Sequence, residues 1–127
     1  MKKRFVDTNV FLRFLTRDNP EKFEDCKSLF KKTIKGKISL ITSEMIIAEL
    51  IWTLLSYYNV PKAEVVEKVS IILNTPNLHV LNKDLILEAL VLYGKKDIDY
   101  IDAYNTFFMG YHKVEEIYTY DQHFSII

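Results

Sequence analysis

Four acidic side chains, Asp7, Glu49, Asp102 and Asp121, stand where chemistry could be done. Asp7 closes the short apolar run Phe5-Val6. Asp121 closes the run Glu116-Ile117-Tyr118-Thr119-Tyr120. In an open parallel α/β sheet, ligands bind beyond the carboxyl ends of the strands, and both acids fall at such ends. Asp102 is the third residue after Asp99, a helix-capping residue type. Glu49 interrupts an apolar stretch between Ala48 and Leu50. Carboxylates gathered in one cleft repel each other, and burial strips them of solvation. A divalent cation offsets both penalties. Carboxylate oxygens are hard ligands suited to Mg²⁺ or Mn²⁺, and such an ion can activate water and neutralise charge on a phosphate ester.

Each acid also has a plainer reading. Asp7 before Thr8-Asn9 can cap a helix. Asp102 can complement a helix dipole from the first turn, and Asp121 can be a turn residue. Glu49 is the most informative, because a buried Glu needs a partner and no lysine nearby in sequence offers one. No cysteine or histidine pair has the spacing of a structural zinc site. No Ser-His-Asp or Cys-His arrangement stands out. His79 lies in an apolar strand, and His112 falls at a helix end where a cation is favoured.

The elements that must position these acids follow from periodicity and punctuation. Phe5-Val6 ends a first buried strand. Thr8 or Asn9 caps a helix from Val10 to about Arg17, and Pro20 opens a second helix reaching about Lys35. Ile38-Ser39-Leu40-Ile41 is a second strand. Thr42 or Ser43 caps a third helix to about Tyr58, apolar on nearly every side and so expected to be buried. A fourth helix runs from Pro61 through Ile72. Leu78-His79-Val80-Leu81 is a third strand, and Asn82 caps a fifth helix to about Tyr93. Gly94 and two lysines form a loop. Asp99 caps a sixth helix from Tyr100 to about His112, and Glu116–Tyr120 is a fourth strand. Strands alternate with helices and no hairpin signal joins two strands. The expected fold is therefore α/β: a three-layer α/β/α domain spanning residues 1–127 around a central parallel sheet of four to five strands.

The 127 residues leave room for one domain with its own core. Lys plus Arg and Asp plus Glu both number 17, so any attraction for phosphate must come from local clustering or from metal ions. Lys31, Lys32, Lys35 and Lys37 form one such cluster, read first as a solvated helix end. Cys26 is the single cysteine, which excludes an internal disulfide and suits a reducing, cytoplasmic setting. No apolar stretch is long enough for a signal peptide or a bilayer span. Trp52, Leu55, Tyr57 and Tyr58 are apolar surface in excess of what a small sheet needs, and they suggest a face for a second copy.

Four segments resemble the motifs of PIN-domain nucleases, and among them the VapC-type toxins of toxin–antitoxin pairs. The opening Phe-Val-Asp-Thr-Asn-Val-Phe-Leu, residues 5 to 12, is similar to the family's start. Thr42 through Leu50, with Glu49, is similar to its second motif. Asp99-Tyr100-Ile101-Asp102-Ala103-Tyr104 resembles the third, and Thr119-Tyr120-Asp121-Gln122-His123-Phe124 the fourth. They occur in order along nearly the whole chain. The resemblance implies an Mg²⁺- or Mn²⁺-dependent endoribonuclease with Asp7, Glu49 and Asp102 as core ligands and Asp121 as the fourth acid. Thr8, Asn9 and Thr119 become groups that orient carboxylates or water. It further implies an RNA substrate, a homodimer, and a cognate antitoxin that blocks the site.

Two other readings compete. One is a PIN-fold module that binds nucleic acid or protein without cutting. The other is a receiver-like phosphate-handling domain, which would want a second acid beside Asp7 and an Asp after the third strand. Here Leu81 is followed by Asn82 and Lys83.

Overall fold

The computed structural model describes residues 2–120. In chain order the elements are β1 (Lys3–Phe5), α1 (Thr8–Thr16), α2 (Pro20–Ile34), β2 (Ser39–Thr42), α3 (Glu44–Ser56), α4 (Lys62–Leu73), β3 (Leu78–Val80), α5 (Lys83–Lys95) and α6 (Tyr100–Tyr111). They fall into two compact units, Met1–Lys83 and Asp84–Ile127.

The first unit is built on a parallel sheet of order β1-β2-β3. Parallel strands need long crossovers, and each crossover here is a pair of helices, α1 with α2 and α3 with α4. Arg4 registers with Leu40, and Leu40 with Leu78. The chain leaving β1 stays tied to β2: Val6 N–H donates to Ile41 O at 2.9 Å, and Thr42 Oγ1 donates to Val6 O at 2.8 Å. Val6, Leu40, Leu78 and Val80 are buried with Thr42. Phe5 and His79, which share register positions with Ile41, are exposed. Among the described residues, β1 and β3 are the two edges of this sheet.

Local chemistry explains where the helices begin. Asp7 is the N-cap of α1 and accepts from Thr8 N. Asn19 caps α2, accepting from Lys22 N with Pro20 in the first turn, and Ser43 caps α3, accepting from Ile46 N. Each satisfies an amide that the helix cannot pair internally. Gly36, at φ +79°, follows α2 in a conformation that costs other residues a Cβ clash. α1 packs on α2 through rings: Phe11 and Phe30 stack at 5.9 Å, and Phe14 meets Phe30 at 4.8 Å. On α3, Ile47, Leu50, Ile51 and Leu54 are buried at helical spacing.

In the second unit, α5 buries Leu85, Ile86, Ala89, Leu90 and Tyr93. Asp99 caps α6 by accepting from Asp102 N. α6 is joined to α5 by Tyr111 Oη donating to Glu88 at 3.2 Å and by an edge contact between Tyr93 and Tyr100.

Five sequence expectations change. The first strand is exposed at Lys3, Arg4 and Phe5, not buried. The cap of α1 is Asp7, not Thr8 or Asn9, because its carboxylate reaches the first helical amide. α3 is one-sided, with Met45 and Trp52 well exposed. α5 runs through Gly94 to Lys95, and Lys96 N–H extends the ladder to Leu92 O. One internal glycine costs only about 1 kcal/mol, less than the packing of its neighbours contributes. The sheet has three strands among the described residues, not four to five. Residues 116–119 are irregular and exposed, and the second unit offers them no strand to pair with among the described residues. Isolated strands do not persist in water.

Candidate active site

The first unit brings Asp7 and Glu49 together through one residue. Thr8 is buried, and its two polar groups point to the two acids. Its backbone N–H donates to Asp7 Oδ1 at 2.8 Å, and its hydroxyl donates to Glu49 Oε1. The link is nonlocal. Asp7 stands at the end of the segment leaving β1, and Glu49 stands in the second turn of α3. The β1–β2 pairing and the Thr42–Val6 bond fix the first segment. The buried side of α3 fixes the second.

Both carboxylates are exposed. The burial penalty expected for Glu49 therefore does not arise, and its partner is the Thr8 hydroxyl, not a lysine. Thr8 engages one oxygen of each acid. Asp7 Oδ2 and Glu49 Oε2 accept no hydrogen bond among the described residues. Asp7 is a helix cap, the plainer of its two readings, and capping occupies only Oδ1. The donor chemistry fits a hard cation. Mg²⁺ usually keeps several waters and takes one or two protein carboxylates plus substrate phosphate. Among the described residues, no three or more His, Cys, Asp or Glu side chains are grouped to hold a metal ion.

Asp102 lies in the second unit, buried in the first turn of α6, with its N–H on Asp99 Oδ1 at 2.8 Å. Thr119 is in the exposed irregular chain after α6. Asp121 lies outside the described residues. Asn9 is exposed in the first turn of α1.

Two hollows meet at Asn9 and Arg13. One, of about 420 Å³, is lined by Asn9, Leu12, Arg13, Asp18, Trp52, Thr53, Tyr57 and Tyr58. The other, of about 230 Å³, adds Val10, Lys22, Asp25 and Cys26. Arg13 Nη1 donates to Asp18 Oδ2 at 2.9 Å and more weakly to Tyr58 Oη at 3.4 Å, while Tyr58 Oη donates to Asp18 at 2.9 Å. Burial tends to raise the Asp18 carboxyl, but hydrogen bonds from Tyr58 and Thr16 and the Arg13 charge together hold it below the usual range. Sequence reasoning passed over Arg13. The signal was its i+4 spacing from Asn9, which puts both on one helix face.

The profile described as PIN domain matches residues 4–127. A protein of Aquifex aeolicus (strain VF5) named VapC ribonuclease is 31% identical over 100 residues, covering 79% of this chain and 73% of its own. The crystal structure of Mycobacterium tuberculosis VapC20, titled a Sarcin-Ricin loop cleaving toxin, aligns over 98% of this chain and 94% of its own, at 18% identity and a TM-score of 0.44. No helix among the described residues is long and apolar enough to cross a membrane.

Proposed function

This chain belongs to the PIN-domain family, and from that premise we propose that it is a divalent-metal-dependent endoribonuclease, the toxin of a toxin–antitoxin pair. The observation that carries the reading is the junction of Asp7 and Glu49 at Thr8. It leaves one oxygen of each acid available on an exposed surface at the carboxyl end of β1, where α/β proteins bind ligands. The ribonuclease activity named for the Aquifex relative supports the same reaction class.

Asp7, Glu49 and Asp102, with Asp121 as a fourth acid, would hold Mg²⁺ or Mn²⁺. When bound, the cation supplies charge neutralisation at the scissile phosphodiester and a more acidic water. Thr8 fixes the rotamers of Asp7 and Glu49 before substrate arrives, so that less ordering is left to the reaction. Asp99 holds the first turn of α6 and with it the backbone of Asp102. Asn9 and Thr119 orient carboxylates or water. We take residues 1–127 as one PIN-like domain, with its sheet between helical layers, since the family profile runs through both units. The assembly we propose is a homodimer held inactive by a cognate antitoxin. The single free thiol, Cys26, suits the reducing cytoplasm.

The test is cleavage of RNA by the purified protein with Mg²⁺ or Mn²⁺, without metal, and with Asp7→Asn. Metal-dependent cutting that the substitution removes supports the reading. Equal cutting by both proteins overturns the site, and binding of RNA without any cutting favours the non-catalytic module.

A further inference from the structure

We propose that the cleft between α1 and the C-terminal half of α3 is a nucleotide subsite, in which one base of single-stranded RNA stacks on Trp52 while Arg13 holds the adjoining phosphate. The proposal rests on the ribonuclease reading and names how that site grips its substrate.

Asn9 follows Thr8 directly, and Thr53 lies one helical turn beyond Glu49, about 6 Å along α3. The cleft, lined by Asn9 and Arg13 of α1 and by Trp52 and Thr53 of α3, therefore lies one residue past Thr8 and one helical turn past Glu49. Its volume of about 420 Å³ lies within the roughly 300–1,000 Å³ typical of small-ligand sites.

The lining supplies the two things an unpaired nucleotide offers partners for. Trp52 is 66% exposed and Tyr57 69% exposed, large aromatic area left in water beside a polar cleft. Tyr57 is braced edge-on against Tyr58 at 4.9 Å, and Tyr58 is itself pinned to Asp18. Aromatic faces accept any base, because every base has a π-face. Arg13 spends only Nη1 on Asp18 and Tyr58. Its Nε and Nη2 have no partner among the described residues, which leaves a fork suited to phosphate oxygens. The bond from Nη1 to Asp18 Oδ2 at 2.9 Å holds one edge of the guanidinium in place within the cleft lining. Lys22 lines the adjoining hollow, which shares Asn9 and Arg13 with the cleft, and is a second cation nearby. Paired bases are already stacked on each other, so the arrangement selects single strands.

Trp52 is the only tryptophan, so its fluorescence reports the subsite directly. The experiment titrates a short single-stranded oligoribonucleotide into the full chain in EDTA, where cutting is suppressed. A duplex of equal length serves as control. The expected result is quenching by the single strand and little by the duplex. Trp52→Ala should raise KM for single-stranded RNA about tenfold, the scale of one lost base–aromatic stack, and lower kcat far less. Trp52→Phe should recover most of that loss. Arg13→Gln should weaken binding and flatten its salt dependence, whereas Arg13→Lys should keep the salt dependence.

Cutting that proceeds with KM unchanged in Trp52→Ala and Arg13→Gln overturns the subsite and leaves the ribonuclease reading intact. Quenching without cutting in metal sinks the ribonuclease reading and leaves the subsite standing. A fall in mass by light scattering in Trp52→Ala, with RNA affinity unaltered, assigns the face to a second copy of the chain and overturns the proposal.

Discussion

Thr8 and Glu49 are 41 positions apart in the chain and share a side-chain hydrogen bond. That bond couples the first turn of α1 to the second turn of α3. Thr8→Val keeps the shape of a buried side chain and removes the donor. Glu49, being exposed, can turn to water, so the folded state should lose no more than about 1 kcal/mol. Cleavage should fall about 10–100-fold, the usual loss when a group supporting a metal ligand is removed. Thr8→Ser should restore most of it. Melting curves and RNA-cleavage rates with Mg²⁺ check both halves.

Asp7 caps α1, and on the proposed reading it is also a metal ligand, two duties that separate by substitution. Asn caps helices as well as Asp, so Asp7→Asn should melt close to the parent protein while losing more activity than Thr8→Val. Asp7→Ala should lose the activity and about 1 kcal/mol of stability as well. Thermal unfolding beside the cleavage assay distinguishes cap from ligand.

On the proposed reading, Asp99 and Asp102 divide capping and metal binding between two residues. Asp99→Ala removes the cap of α6 and should cost about 1 kcal/mol, with most cleavage retained well below the melting temperature. Asp102→Asn should abolish cleavage under the same conditions. If the two variants cut equally well, Asp102 is no ligand.

Acid sensitivity should trace in part to Asp18. Its folded carboxyl lies below the usual range because hydrogen bonds from Tyr58, Thr16 and Arg13 outweigh the cost of burial. A depressed carboxylate contributes stability that is present above its unfolded pKa of about 3.9 and lost as pH falls through the lower folded value. The stability gap between the parent and Asp18→Asn should therefore be widest near neutrality and close below about pH 4. The side chain is 37% exposed, so solvent screening keeps that gap small. Urea titrations across that pH range measure it.

Local signals in the sequence placed much of this structure. Asn19-Pro20, Ser43 and Asp99 announce helix starts because a cap is a bond between residues two or three apart. β2 and β3 are visible as short apolar runs, whereas only the end of β1 is, since Lys3-Arg4-Phe5 is mostly charged and exposed; the resemblance singles out Asp7, Thr8 and Glu49. What failed was nonlocal. Glu116–Tyr120 alternates like a strand, but strand formation depends on a neighbour that sequence pattern cannot supply. Gly94 looked like a stop because its cost is local, while the packing that carries α5 past it is not. Trp52 read as surplus apolar surface. That it flanks Arg13 in a cleft beside Glu49 depends on how α1 meets α3, which no single segment encodes.

Among the described residues, β1 stands at the rim of its sheet, with one side of its backbone paired to β2. A bare rim invites another polypeptide to zip onto it, which is how soluble proteins begin to form fibres. Here the rim is Lys3-Arg4-Phe5, preceded by Lys2. Three positive charges guard the one exposed aromatic of the strand. A second copy approaching in register would set like charge against like. Neutralising Lys2, Lys3 and Arg4 should therefore show first as turbidity on storage, before any change in melting temperature.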